Sequence, residues 1–176
     1  VFKWKDYDFS LPRTEKKIGK GHTDFETVPD HNLNFMQAAE RRDFTINAMG
    51  FDPIRNSICD PYNGLQDLAD KQLRHTSNKF GEDPLRVLRA FQFVSRFELD
   101  VVPATIAICR ALASEFKYLS KERILIEFQK WCKGDHPDNA LYFLRSSGWL
   151  EHFPALSHMF RCPQDPEHHP EGDVYH

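Results

Sequence analysis

The sequence predicts an α+β fold in which a small strand-bearing unit leads into an all-helical unit. Three observations carry that expectation. The N-terminal part holds short alternating or apolar runs broken by turn residues, the part beyond Pro84 repeats apolar residues at i, i+3 and i+4, and the two regimes follow one another rather than interleave. With 176 residues, 40% of them hydrophobic and 15 of them Phe, the chain can fill a core.

The elements follow in order. From Val1 to about Leu11, Phe2, Trp4, Tyr7, Phe9 and Leu11 alternate with polar residues with one slip, which predicts a half-buried strand stopped by Pro12. The next segment, RTEKKIGKGHTDF, is basic, glycine-containing and aperiodic, and reads as a mobile loop whose Arg13, Lys16, Lys17 and Lys20 are solvated charges. Asn34 offers capping chemistry to a helix carrying Phe35, Ala38 and Ala39, with Phe44 continuing its face. INAMGFD and SICDP, joined by PIRN, predict a hairpin, and DPYNGLQDLADKQL a turn followed by a short helix. Four helices then follow: one through Leu85, Val87, Leu88, Phe91, Val94 and Phe97, one from Pro103, one across KERILIEFQKWC, and one across PDNALYFLRSSGWL ending near Gly148.

Composition narrows the function classes. A net charge of −3 and a pI near 6.3 do not mark a nucleic-acid binder by bulk charge, so any such activity rests on a local basic face. Cys59, Cys109, Cys132 and Cys162 form no CxxC pair, which predicts reduced, buried thiols in a cytoplasmic protein. No apolar run approaches the roughly 18 residues that a membrane span requires. The chain opens on Val1 and closes on His176 in mid-phrase, so both ends are expected to be cut.

Two polar clusters carry chemistry. In GEDPLRVLRAFQF, Asp83 stands before Pro84 at the mouth of a helix, with Arg86 and Arg89 three apart on one face above it. Such an acid and arginine set an acceptor beside a donor fork. Cytosine and adenine each pair an exocyclic amino donor with a ring-nitrogen acceptor and satisfy both groups, whereas uracil and guanine present the reverse pattern. Rejection by unpaired buried groups can reach roughly 10⁴. A capped helix with ion pairs explains the same residues without any ligand. The second cluster, ERRDFTINA, sets Arg41, Arg42 and Asp43 in succession. Adjacent arginines suit a triphosphate, and Asp43 can hold one of them or accept from a ribose hydroxyl.

RRDFTINAM at Arg41–Met49, DPYNGLQDL at Asp60–Leu68 and EDPLRVLRA at Glu82–Ala90, in that order, resemble the class II tRNA nucleotidyltransferases and the related bacterial poly(A) polymerases. The resemblance runs from about Tyr7 to Gly148. It implies the C-terminal part of a polymerase-β-like nucleotidyltransferase head over residues 1–60, a helical neck or RNA-binding domain over 61–150, and a linker leading to an HD-like domain over 151–176. It also implies untemplated addition of CMP and AMP from CTP and ATP to tRNA 3′ ends. By position, Arg42 would hold the incoming nucleotide with Asp43 near its ribose, Asp83 and Arg86 would read the base, and Arg89 would be a further nucleotide contact. Gln92 stands where many members carry another arginine.

The family's phosphoryl transfer uses two Mg²⁺ ions held by carboxylates, two of them in a DxD after a glycine-rich turn. No DxD after such a turn occurs in this chain, and Asp8 matches the third carboxylate, so the fragment alone is expected to be inactive. HHPEGDVYH resembles the opening of an HD-type phosphohydrolase domain, but without a His-Asp doublet His168, His169 and His176 are not read as a metal site. Poly(A) polymerase, a partial CC- or A-adding enzyme and an inactive RNA-binding module remain as alternatives. Weak, salt-sensitive tRNA binding is expected, with no membrane partner.

Overall fold

The structure, a computed structural model, describes residues 2–17, 25–160, 162–165, 167–168 and 170. The chain opens with strands β1 (Phe2–Trp4) and β2 (Tyr7–Phe9), antiparallel with Phe2 opposite Phe9 and Trp4 opposite Tyr7. The expected single strand is therefore a hairpin. The slip in its alternation is the turn itself, where Lys5 takes a φ of 53°, the positive value that tight hairpin turns require. Nor is it half-buried: Phe2, Trp4, Tyr7 and Phe9 stay exposed because no described element packs over their face.

The segment read as a loop is strand at both ends. β3 (Arg13–Lys17) pairs antiparallel with β4 (Phe25–Pro29), a ladder that rests on backbone hydrogen bonds and so leaves no hydrophobic period in the sequence. Lys20 lies outside the described residues.

Helix α1 (Phe35–Ala39) begins with a capping box: the Gln37 amide donates to Asn34 Oδ1 at 2.9 Å, and the Asn34 amide donates to Gln37 Oε1 at 3.0 Å. It ends before Phe44, which does not continue its face. Phe44 instead forms a β-bridge with His75 and is fully buried, its ring edge-on to Phe80 at 5.5 Å and to Phe93 at 5.6 Å. The hairpin β5 (Gly50–Asp52) with β6 (Ser57–Cys59) is as expected, as is the short helix α2 (Gly64–Ala69). Asp60 caps α2 by accepting from the Gly64 amide at 2.7 Å, and a Cβ on Gly64 would lie 2.3 Å from the Thr45 carbonyl oxygen.

Strand β7 (Gln72–Leu73) pairs in parallel with β8 (Asp100–Val101), stitching the end of the strand-bearing unit to the far end of helix α3 (Leu85–Phe97). Helices α4 (Pro103–Ala111), α5 (Lys121–Trp131) and α6 (Pro137–Ser146) follow. A further helix, α7 (Pro154–Met159), occupies part of the region expected to be linker. α3 packs against α5 and α6, with Phe91 stacked on Trp131 at 4.9 Å and buried Trp149 donating its indole N–H to the Cys109 carbonyl at 2.8 Å. Of the cysteines expected to be buried, only Cys109 is, and burial pushes its thiol pKa up to about 12; Cys59 is half-buried, while Cys132 and Cys162 are exposed at helix ends and loops where no core forms. No helix among the described residues is long and apolar enough to cross a membrane.

Candidate nucleotide site

The two polar clusters meet at the seam between the strand-bearing and helical units. α1 is too short to carry Arg41, Arg42 and Asp43, so they fall on the turn after it, facing the start of α3. Glu82 receives the Arg41 guanidinium at 2.6 Å. Asp43 accepts from the Phe44 amide and the Asn47 side chain on Oδ1, at 2.9 and 3.0 Å, and from Arg89 Nε on Oδ2 at 2.6 Å. With its side chain only 8% exposed, Asp43 holds Arg89 rather than the adjacent Arg42.

The side chains of Asp83 and Arg86 do not pair with each other; the Arg86 amide donates to the Asp83 carbonyl at 3.1 Å. The Asp83 carboxylate caps α3 by accepting from the Leu85 amide at 3.1 Å. It also accepts from Arg123 of α5, Nη2 at 2.6 Å and Nη1 at 3.3 Å. Arg86 spreads its fork over two backbone oxygens, donating to the Lys79 and Arg41 carbonyls at 2.7 Å each. Burial lowers the Arg86 pKa from its ordinary value, and Asp43, Asp83 and Glu82 oppose that shift. It remains a cation.

These contacts leave a cleft of about 520 Å³ whose lining includes Arg13, Arg41, Arg42 and Arg86, with Ser10, Pro12 and Ala38 between them. Arg42 makes no side-chain hydrogen bond or ion pair to any described residue and is exposed, a cation held open to the cleft. Arg13, read from sequence as plain solvated charge, belongs to this wall because β3 starts there. Arg89 and Gln92 do not line it; Gln92 is buried and accepts from Arg96.

Sequence reasoning also missed Arg123. Its only local signal is a charged pair, Arg123 and Glu127, beside the apolar residues of α5, and Glu127 is itself buried and bound to Lys130 at 2.7 Å.

Asp8 stands apart. Its side chain is 63% exposed and 3.6 Å from the ammonium of Lys3. Asp6 precedes it in the hairpin turn, but no group of three metal-ligating side chains forms among the described residues. One exposed carboxylate beside a lysine does not build a site for two divalent ions, so the described residues do not fit that centre. His168 is exposed, and His169 and His176 lie outside the described residues.

A strand-bearing unit joined to a helical unit, with an arginine-walled cleft at the seam, is the architecture the chain shows. Residues 2–74 match the family model described as the poly A polymerase head domain, and residues 98–160 match the one described as the probable RNA and SrmB-binding site of polymerase A. The multifunctional CCA protein of Acinetobacter baumannii is 38% identical over 172 residues, covering 94% of this chain and 42% of that protein. That of Xylella fastidiosa is 39% identical over 173 residues, covering 95% and 42%. The structure of the Bacillus stearothermophilus CCA-adding enzyme in complex with CTP superposes with a TM-score of 0.67 at 27% identity, covering 80% of this chain and 35% of that one. The chain belongs to the CCA-adding enzyme and poly(A) polymerase family. It spans less than half the length of the curated relatives it matches.

Proposed function

We propose that this chain is the nucleotide-selecting and RNA-holding part of a cytoplasmic enzyme that adds CMP and AMP to tRNA 3′ ends from CTP and ATP, divided into head, neck and onward linker near residues 60 and 150. The observation that carries the proposal is the cleft walled by Arg13, Arg41, Arg42 and Arg86 with Asp83 anchored nearby. Arginine forks take triphosphate oxygens in pairs, and Arg42 is the side chain left open for one.

Base selection follows from what the contacts leave over. A carboxylate offers about four acceptor sites, and Asp83 commits one to Leu85 and two to Arg123. Arg86 has five N–H donors and commits two to backbone carbonyls. A remaining acceptor on Asp83 and remaining donors on Arg86 suit the Watson–Crick edges of cytosine and adenine and refuse those of uracil and guanine. Arg123 fixes the carboxylate, and Asp43 acts through Arg89, holding the head turn against α3. The reaction's Mg²⁺ chemistry is that of the whole enzyme; Asp8 is the one family carboxylate this chain would contribute.

The test uses the full-length protein with tRNA lacking its 3′ end, Mg²⁺ and labelled nucleotides supplied singly and together. CCA addition that stops there, lost in Asp83→Ala and Arg86→Ala variants that circular dichroism shows to be folded at the assay temperature, is the expected result. Long A-only tails would assign the chain to the poly(A) branch, and no incorporation would leave an RNA-binding module. Binding to tRNA weakens as salt rises; affinity independent of salt would overturn the electrostatic part of the proposal.

A further inference from the structure

A second cleft, of about 720 Å³, opens on the helical unit away from the arginine wall. It lies between α4 and α6, beside β8 and the later turns of α3. Val94 of α3 and Arg86, which lines the first cleft, are separated by eight residues, roughly 12 Å along the helix. Its volume falls within the range of small-molecule and nucleotide sites.

The lining is sorted by chemistry. Val94, Leu99 and Phe143 form an apolar floor, each nearly inaccessible and continuous with the core. The rim is polar and exposed. Asn139, Tyr142 and Ser146 recur along one face of α6, with Arg145 beside them. Arg110 reaches across from α4, its Nη2 donating to the Ser146 carbonyl at 2.7 Å, which ties the two helices and fixes the guanidinium at the cleft. Arg145 packs its guanidinium over the Phe160 ring at 5.2 Å, so it too is positioned by a neighbour. Asp100 closes the β8 side.

An exposed aromatic ring, two oriented arginines, a side-chain amide and a carboxylate around an apolar floor are the parts that hold an unpaired nucleotide. The ring offers a stacking face, the arginines neutralise phosphate, and the amide and the acid meet base edges or a ribose hydroxyl. A bare phosphate would have no use for the floor or for Asp100. We propose that this cleft holds an unpaired nucleotide of the RNA substrate, as a second RNA contact separate from the arginine cleft. The inference rests on the tRNA reading above and adds a site to it; the rim residues all lie in the segment 98–160 that matches the RNA-binding family model.

The experiment compares full-length wild type with Tyr142→Leu, which removes the stacking ring but keeps an apolar side chain, and with Arg145→Gln. Affinity for tRNA lacking its 3′ end is measured across a salt series, with CTP affinity measured in parallel. Tyr142→Leu is expected to weaken tRNA binding about ten-fold with CTP affinity unchanged. Arg145→Gln is expected to lower the slope of log affinity against log salt by about 0.7, the value for one phosphate of a single strand. Photocrosslinking of 4-thiouridine-substituted tRNA should label a peptide from α6. Wild-type tRNA binding with both variants indistinguishable from it would overturn this inference alone and leave the cleft to a protein segment. Failure of the wild type to bind tRNA would overturn the tRNA reading and this inference together.

Discussion

The two units of the chain solve the problem of burial differently. In the helical unit, Val87, Leu88, Ala90 and Phe91 on α3 and Leu144 on α6 are wholly inaccessible, and Phe91, Phe128 and Trp131 form an aromatic cluster. In the opening hairpin, Phe2, Trp4, Tyr7 and Phe9 are between 51% and 64% exposed. The helices carry their own core, whereas the strand-bearing part is joined to them by Phe44, which inserts its ring between Phe80 and Phe93, and by ion pairs. The cleft lies on that seam because that is where charged side chains of both units converge.

The largest effect should therefore come from the helical core. Phe91→Ala should cost about 3–5 kcal/mol in chemical denaturation, from lost transfer free energy plus the cavity left behind. Trp4→Ser, a change of similar size on the exposed hairpin face, should stay within about 0.5 kcal/mol. Equal losses from both would abolish the contrast between the units.

That contrast also decided what the sequence made legible. Helices that bury a stripe print it at i, i+3 and i+4, so α3 to α6 could be read from residues such as Leu85, Leu88 and Phe91. The α1 capping box was half legible, since Asn34 could be read as a cap while the reciprocal role of Gln37 was not. The β3–β4 ladder carries no apolar residue in RTEKK and so prints no period, and α7, six residues long, is too short to print a stripe. Within the site, residue types near one another in sequence were found. The partners were not: Asp83 meets Arg123 across 40 residues and Asp43 meets Arg89 across 46, and local periodicity does not report pairings at that separation.

The next largest effect should fall on the seam. Asp43→Asn preserves shape but removes the charge that holds Arg89, and should cost about 1.5–3 kcal/mol, the scale of a hydrogen bond to a charged group. A double-mutant cycle with Arg89→Gln isolates the pair from the bonds Asp43 makes to Phe44 and Asn47. Coupling near zero would mean that the Asp43–Arg89 pair adds nothing to a seam held by Phe44, the Arg41–Glu82 pair and the β7–β8 ladder. Trp4→Ser serves as the reference, since it lies off the seam.

The smallest effect is a pH dependence at the same seam. His75 bridges to Phe44 and meets Thr105 of α4: the His75 amide donates to Thr105 Oγ1 at 3.0 Å, and the ring Nδ1 lies 2.8 Å from the same oxygen. Since that hydroxyl accepts the amide proton, it is free to donate its own to Nδ1, which requires the neutral ring. Burial first, and then the neighbouring Arg74 cation, lower the His75 pKa from its ordinary value of 6.5. The unfolded chain thus takes up the proton at a higher pH than the folded one. The stabilisation is complete above pH 6.5 and is lost as pH falls from there through the lowered folded value. Melts between pH 7.5 and 5 should show wild type losing stability faster than His75→Gln, which has no proton to gain. Parallel curves would mean that the seam is indifferent to the charge on His75, leaving the Phe44 plug, the Asp43–Arg89 and Arg41–Glu82 pairs and the β7–β8 ladder as what joins the two units.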